Sequence, residues 1–277
     1  MKEQIKIEYE RAIRSKTLWV ALIIGLIISI AQFIVEVIPE EKDPLQFFQG
    51  TFQCYPKSVF NYWLGGSFAD AYATTFLTIL PVLATLAHGI TYYMDIKSGY
   101  IKNIYTRTTK KNYLVAKYTV TFISGGIVVI IPWLVNLLLS ACVLPSLVPV
   151  GNGTFALSGS RMLDKVYYTH PYIYIMIFIV IYFLYAGVFS TVALAAVYAI
   201  ENVFLLTLVP FIVYYGFSVI SPYVKVISWL GKINPITLLD MTQPRGSQPM
   251  AIILELLIVA VISGVIYFRN GVKKDAF

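Results

Sequence analysis

The stretch TLWVALIIGLIISIAQFIVEVI, residues Thr17–Ile38, contains a single charged side chain, Glu36. A membrane-spanning helix needs about 20 mostly apolar residues, so this stretch is long enough to cross a bilayer. The whole chain has the same character, because 58% of its 277 residues are hydrophobic and only 13% are charged. Soluble domains carry roughly 25% charged residues. The sequence therefore predicts a membrane protein rather than a water-soluble globule.

Five further apolar segments follow the first one, which predicts an all-α polytopic membrane protein with six transmembrane helices. The six predicted spans are Thr17–Ile38, Phe68–Tyr92, Tyr118–Leu144, Pro171–Ala199, Val203–Val224 and Met250–Phe268. No internal repeat, low-complexity tract or inserted soluble domain interrupts them. Residues 1–277 are therefore expected to form one transmembrane domain.

The positive charges are distributed unevenly between the predicted loops. With six spans, both termini lie on one side, and two thirds of the 21 Lys and Arg residues fall on that side. Cytoplasmic loops carry an excess of Lys and Arg, so we expect both termini in the cytoplasm and the protein in the cell membrane. The net charge of +7 then reflects these loops and anionic membrane lipids rather than nucleic acid.

Two segments outside the spans have their own predicted structure. In residues 1–16, Ile5, Tyr9, Ala12 and Ile13 recur at helical spacing among charged residues. This pattern predicts an amphipathic helix in the cytoplasmic membrane interface, with a frayed, solvated lead-in as the alternative.

The second segment, residues 225–249, contains VISWLGKINPITLLD, an apolar run interrupted by Gly and Pro. This run is too short to cross a membrane twice. We therefore expect an outer re-entrant hairpin before the sixth span, with irregular backbone that protein or water must cover. An apolar loop on the membrane surface is the alternative.

The main predicted cytoplasmic loop, residues 95–117, reads DIKSGYIKNIYTRTTKKNYLVAK and is the longest basic run in the chain. An apolar stripe on a short amphipathic helix is indicated by the spacing of Ile96, Tyr100, Ile101 and Ile104. Gly99 would let another backbone come close. Such a helix is expected to dock against the membrane surface or another protein.

The loop resembles a segment of ABC-2-type transporter permeases. In that segment, an acidic residue at the end of span two precedes a short Gly-containing helix, a turn, a basic residue and an Ala-Lys pair entering span three. The matching residues are Asp95, Gly99, Ile101, Asn103, Thr106, Lys110, Ala116 and Lys117. The N-terminal EYERAIRSKTLWVALIIGL and the INPITLLD before the last span are similar too, so the resemblance covers essentially the whole chain. One departure is Arg107, which stands where the family often has Pro.

The resemblance implies the permease subunit of an ATP-driven exporter. Such a permease pairs with a second, identical or related permease and with ABC ATP-binding subunits, which bind ATP and Mg. This chain has no GxxxxGK[ST] motif, so we expect no enzyme activity, cofactor or metal in the chain itself. The residues expected to contact the ATP-binding subunit are Asp95, Ile96, Gly99, Tyr100, Ile101, Lys102, Asn103 and Ile104.

The class of transported compound follows from the resemblance alone. The compact architecture resembles members that move hydrophobic or amphipathic compounds, including bacteriocin-like peptides and drugs. Asp70 and Glu255, near the outer ends of spans two and six, are weak candidates for the substrate path, because a carboxylate inside a span is a functional candidate by default. Hydration at the interface is the alternative for both residues.

Two other functions stay open at this point. A non-transporting membrane scaffold or sensor subunit would have the same spans. A membrane-embedded enzyme would need paired acid–base or metal-binding groups at one depth, and His88 and His170 are predicted on opposite sides of the membrane. Cys54 and Cys142 are both predicted on the outer side, where the choice between a disulfide and two thiols is left open.

Overall fold

The structure is a computed structural model that describes residues 1–39, 58–66, 70–149, 162–220, 223, 234–242 and 249–273. Within these ranges the protein is helical and has no β-strand. Six of the described helices are long and apolar enough to cross a membrane, and we number them spans 1 to 6. They are Lys16–Val37, Ala71–Lys97, Lys110–Val143, Pro171–Ala196, Val203–Ile220 and Pro249–Lys273. The prediction of an all-α, multi-pass membrane protein is confirmed.

Shorter helices lie between and before the spans. The N-terminal helix is Lys2–Ile13, the loop helix is Tyr100–Tyr105, and the outer helix is Pro235–Leu239. Two more are Val59–Tyr62 and Asp164–Thr169. Span 1 ends in a π-helical turn, Phe33–Val37, and span 2 consists of Ala71–His88 followed by Thr91–Lys97.

The helices beside the main loop extend further than the sequence predicted. Span 2 was expected to end at Tyr92 and span 3 to begin at Tyr118, but they reach Lys97 and Lys110. Hydrophobicity ends where charged residues begin, but two of these charged residues, Asp95 and Lys117, are buried and paired with each other inside the bundle, as shown below. The expected loop, residues 95–117, is therefore two helix ends joined through the loop helix.

Spans 3 and 4 come close together because each has a glycine opposite an aromatic ring of the other. A Cβ atom on Gly126 would overlap the ring of Phe183, and one on Gly187 would lie 2.7 Å from the ring of Phe122. The two rings meet edge to face, with centroids 5.6 Å apart. Small residues allow this approach in membranes, where van der Waals packing drives helix association. Spans 3 and 4 therefore form a tight central pair.

The two ends of the helix bundle differ in what they hold. One end, called the terminal end, contains the N-terminal helix, the loop helix and the last turns of span 6. There Lys110 Nζ donates a hydrogen bond to the Val272 carbonyl at 2.8 Å. At the opposite end, Ser58 Oγ donates to the Leu147 carbonyl at 2.9 Å. Cys142 is exposed near this opposite end, and Cys54 lies outside the described residues. The choice between a disulfide and two thiols therefore stays open.

Part of the expected hairpin, residues 225–249, is described, and it includes the outer helix. Asn234 begins this helix, because its side chain accepts the first backbone N–H groups. Leu239 is fully buried, and Tyr182 Oη donates to its carbonyl at 2.9 Å. This stretch therefore packs on the bundle as a short helix. Most of the remaining hairpin lies outside the described residues, and its re-entry into the membrane stays a prediction.

The orientation of the terminal end can be tested by labelling. In a chain whose Cys54 and Cys142 are replaced, Ser98→Cys at the terminal end should react only with membrane-permeant reagent in intact cells. Leu147→Cys, also exposed but at the opposite end, should react with impermeant reagent. The reason is the excess of positive charge at the terminal end, which favours the cytoplasm. The reversed pattern would place both termini outside the cell.

Candidate functional site: a buried ion-pair network

A cluster of charged side chains is buried at the terminal end, where the N-terminal helix lies against span 3. Its members come from three elements, two of them consecutive spans and the third about 80 residues earlier in the sequence. They are Glu8 and Arg11 of the N-terminal helix, His88 and Asp95 of span 2, and Tyr113 and Lys117 of span 3. Most of these side chains are fully or almost fully buried. A buried charge is unfavourable unless it is paired and hydrogen-bonded, so the pairing decides what this cluster does.

Lys117 lies at the centre of the network. Its Nζ donates to Glu8 Oε2 at 2.8 Å and to Asp95 Oδ2 at 2.6 Å. The lysine and both carboxylates are at most 4% exposed, so water cannot replace these contacts. One ammonium group therefore joins the N-terminal helix to span 2 through span 3.

Arg11 closes the other side of the network. Its Nη2 donates to Asp95 Oδ1 at 2.5 Å, while its Nη1 donates to Asp95 Oδ2 at 3.2 Å and to Glu8 Oε1 at 2.8 Å. A guanidinium group that meets a carboxylate through two nitrogens forms a strong and well-oriented pair. Two carboxylates and two cations make the network neutral when His88 is uncharged.

Two further contacts complete the network. His88 Nε2 lies 3.3 Å from Glu8 Oε2, and Tyr113 Oη donates to Asp95 Oδ2 at 2.6 Å. Each carboxylate therefore has three side-chain partners. A buried ion pair is stable only when its remaining hydrogen-bonding positions are filled in this way.

The ionisation of Glu8 follows from these contacts. Burial alone would raise its pKa, but the hydrogen bond with His88 and the charge of Lys117 outweigh burial and lower the pKa from 4.5 to about 2. Burial also opposes the charge on Arg11, yet the hydrogen bond and charge of Asp95 hold its pKa above the ordinary value. Because the folded pKa of Glu8 is depressed, its pairing stabilises the fold above pH 4.5 and is lost as the pH falls toward about 2.

The loop helix is attached to the network by Tyr100. The Arg11 guanidinium lies over the Tyr100 ring, 4.4 Å from its centroid, which is a cation–π contact. On the same inner side of the loop helix, Ile101 and Ile104 are buried in the apolar cluster that contains Tyr113, and Tyr100 packs against this cluster too. A displacement of the loop helix would therefore be transmitted to Arg11 and to spans 2 and 3.

Gly99 begins the loop helix in the left-handed region, with φ 73° and ψ 5°. Only glycine adopts this conformation without steric cost. The sequence also predicted close approach of another backbone at Gly99, which stays a prediction. A Cβ atom on Gly99 would meet no atom of the described residues within 4 Å, so the space beside this turn is open.

The residues expected to contact an ATP-binding subunit fall into two groups. Exposed or partly exposed are Ile96, Gly99, Tyr100, Lys102 and Asn103. Buried inside the chain are Asp95, Ile101 and Ile104. The side chains of this second group hold the loop helix to the bundle, and contact of any of the eight residues with an ATP-binding subunit stays a prediction. Ile96 also belongs to the end of span 2 rather than to the loop helix.

The N-terminal helix turns a partly polar face toward the bundle. Gln4, Glu8 and Ala12 are buried, whereas Tyr9 is 41% and Ile13 is 44% exposed. The predicted apolar stripe included Ala12, but the structure places Ala12 on the inward face because the contacts of Glu8 fix the rotation of the helix. The exposed side chains of Tyr9 and Ile13 face away from the bundle. They can contact a membrane interface, as predicted for residues 1–16.

The two weak candidates for the substrate path have different environments. Asp70 begins span 2, and its Oδ1 accepts the N–H groups of Tyr72 at 2.7 Å and Ala73 at 3.3 Å. Glu255 lies inside span 6 and accepts a hydrogen bond from Tyr185 Oη at 2.9 Å. Asp70 is 7% exposed and Glu255 is 1% exposed, so both carboxyl groups are buried in the bundle, and their place in a substrate path stays a prediction.

Comparison of the chain with protein-family models, with curated proteins and with solved structures finds no match. The features that indicate a function for this chain are therefore the order of parts along the sequence and the contacts at the terminal end.

Proposed function

We propose that this protein is the permease subunit of an ABC-2-type exporter in the cell membrane, with both termini in the cytoplasm. It would pair with a second permease, identical or related, and with two ATP-binding subunits that hold ATP and Mg. Its cargo would be hydrophobic or amphipathic, such as bacteriocin-like peptides or drugs. The chain itself is not an enzyme in this proposal.

One observation carries the proposal. The loop helix has exposed residues on its outer side, while its inner side is attached to the ion-pair network through Tyr100 and Arg11. The network in turn connects the N-terminal helix to spans 2 and 3. A force applied to the exposed side would reach two membrane spans without first deforming a flexible loop. An ATP-driven transporter needs this kind of connection between its ATP-binding and membrane-spanning subunits.

The outer side of the loop helix has the chemistry of a protein contact. Lys102 and Asn103 are exposed beside the open turn at Gly99, and Ile96 adds an apolar side chain that is 36% exposed. A basic loop that served only to set membrane topology would not need a helix with a fixed inner face. Docking to a separate subunit explains both the outer chemistry and the inner attachment.

The proposed assembly of permeases and ATP-binding subunits can be tested by purification and mass spectrometry. A tagged chain that is gently solubilised should be recovered with a second permease and an ATP-binding subunit that contains the GxxxxGK[ST] motif this chain lacks. Native mass spectrometry gives the stoichiometry, and a mock purification from cells with the untagged chain is the control. A chain recovered alone, or only with copies of itself, would contradict the proposal and favour a scaffold or sensor subunit.

A further inference from the structure

Two lines of exposed side chains run along the N-terminal helix, outside its buried face. Residues four, seven and eleven positions after a given residue lie on the same side of an α-helix. One such line consists of Lys2, Lys6, Tyr9 and Ile13, all of which are exposed, and we call it the basic line. It combines two positive charges with an aromatic and an aliphatic side chain and contains no acidic residue.

The second line begins one residue later and has the opposite charge. It consists of Glu3, Ile7, Glu10 and Arg14, all of them exposed, and we call it the acidic line. One residue corresponds to a rotation of about 100°, so the two lines occupy different sides of the helix. Two lysines make the basic line positive, whereas two glutamates and one arginine leave the acidic line negative. The exposed surface of the helix is therefore divided by charge.

The basic line has the other features of a membrane interface as well. Trp19, in the first turn of span 1, is 50% exposed, and its Nε1 donates to the Ile13 carbonyl at 2.8 Å. This bond ties the end of the basic line to the point where the chain enters its first span. Tryptophan and tyrosine are enriched at the level of lipid headgroups, and Tyr9 lies on the same line. The acidic line has no aromatic residue.

We propose that the basic line binds the headgroups of anionic phospholipids, with Lys2 and Lys6 at their phosphate groups. Tyr9 and Ile13 would lie at the boundary between the headgroups and the acyl chains. No ion pair joins Lys2 or Lys6 to another described residue, so both ammonium groups can meet a negative charge outside the chain.

Charge complementarity selects this kind of lipid. A zwitterionic headgroup presents no net negative charge to the two lysines, whereas an anionic membrane surface attracts them and repels the acidic line. The amphipathic pattern alone predicts a helix at the interface but does not distinguish between lipids. The inference also goes beyond the exporter proposal and does not depend on it, because lipid binding requires no ATP-binding subunit.

Photolabelling of the purified full chain in nanodiscs tests the inference. The nanodiscs consist of phosphatidylcholine with a trace of photoreactive phosphatidylglycerol or photoreactive phosphatidylcholine, both carrying the same diazirine near the headgroup end of one acyl chain. Mass spectrometry maps the labelled positions. The phosphatidylglycerol probe should label residues 1–19 at least fivefold more than the phosphatidylcholine probe, since one lysine beside an anionic surface accounts for about fivefold. High salt should reduce this preference, because it screens exposed charges.

Matched double variants separate the two lines. Lys2→Gln with Lys6→Gln should reduce labelling by the phosphatidylglycerol probe to the level of the phosphatidylcholine probe. Glu3→Gln with Glu10→Gln changes the same number of charges on the acidic line and should not reduce the preference. All four residues are exposed, so both variants keep the buried contacts of Glu8.

Three results would overturn the inference. One is equal labelling of the native helix by both probes, and another is a preference that survives Lys2→Gln with Lys6→Gln. The third is an N-terminal helix that neither probe labels, which would show that a protein or water covers the basic line instead of lipid.

Discussion

Replacing Lys117 with methionine should lower the free energy of unfolding by about 3–5 kcal/mol, the cost of breaking a buried ion pair by removing one partner. Methionine has a similar length but no charge, so the packing around it changes little. Glu8 and Asp95 would lose the ammonium group that lies 2.8 and 2.6 Å from their oxygens. The network would then carry two carboxylates and only the single cation of Arg11. We expect the N-terminal helix to detach first, because Glu8 is its main buried charge.

The free energy can be measured by reversible denaturant titration of the chain in detergent micelles. Lys111→Met is the matched control, since Lys111 lies on an exposed face of the same span and should change stability by less than about 0.5 kcal/mol. The double variant Glu8→Gln with Lys117→Met restores neutrality, because Asp95 and Arg11 still pair. It should recover most of the lost stability. Equal stability of Lys117→Met and Lys111→Met would show that the network does not hold the terminal end together.

The six spans were predictable because hydrophobicity alone identifies segments that cross a membrane. Their ends at the main loop were not predictable on that basis. Span 2 continues through Asp95 and span 3 begins before Lys117, although both residues are charged. Hydrophobicity treats each of them as exposed to water, whereas the two residues neutralise each other in the folded protein. The burial of the two residues is a property of the pair and could not be predicted from either residue alone.

The network itself could be anticipated only in part. Asp95 and Lys117 could be singled out because they match a family pattern. The sequence did not indicate that they lie in one network with Glu8. Glu8 lies 109 residues from Lys117 and 80 residues from His88, and in the sequence it is one of several charges on an amphipathic helix. One signal was present, since a buried helix face of Gln4, Glu8 and Ala12 has the regular spacing of four residues. Only the fold shows that this face turns toward span 3.

Glu255 shows a different reason for failure. Its distance from the end of span 6 suggested hydration at the membrane interface. The structure buries it between helices, where Tyr185 of span 4 donates a hydrogen bond to it. Position along a span gives the depth of a residue but does not give the neighbours that exclude water.

Replacing Gly99 with tryptophan should eliminate recovery of the ATP-binding subunit while leaving the six spans folded. The side chain would project into the open space beside the turn, where the described residues place no atom within 4 Å. Folding should therefore tolerate the added volume, and only a docked partner would collide with it. The left-handed φ of 73° adds a local cost of about 1–2 kcal/mol for any residue with a Cβ.

Gly99→Ala separates the effect of side-chain volume from the effect of the backbone conformation at the turn. Alanine has the same backbone cost as tryptophan but almost none of its volume. Both variants should elute as folded chains in size-exclusion chromatography, and Gly99→Ala should retain most of the bound subunit. Loss of the subunit in both variants would indicate that the conformation of the turn matters, rather than the surface beside it.

The central claim is that the loop helix docks an ATP-binding subunit. The most direct test measures how much of that subunit is recovered per tagged chain. The tagged chain is expressed as the native protein, as Gly99→Ala or as Gly99→Trp. The proposed docking predicts equimolar ATP-binding subunit with the native protein, a similar amount with Gly99→Ala, and less than one tenth of it with Gly99→Trp. Recovery of the same amount with Gly99→Trp would show that the subunit docks elsewhere. Absence of an ATP-binding subunit from the native protein would contradict the account as a whole.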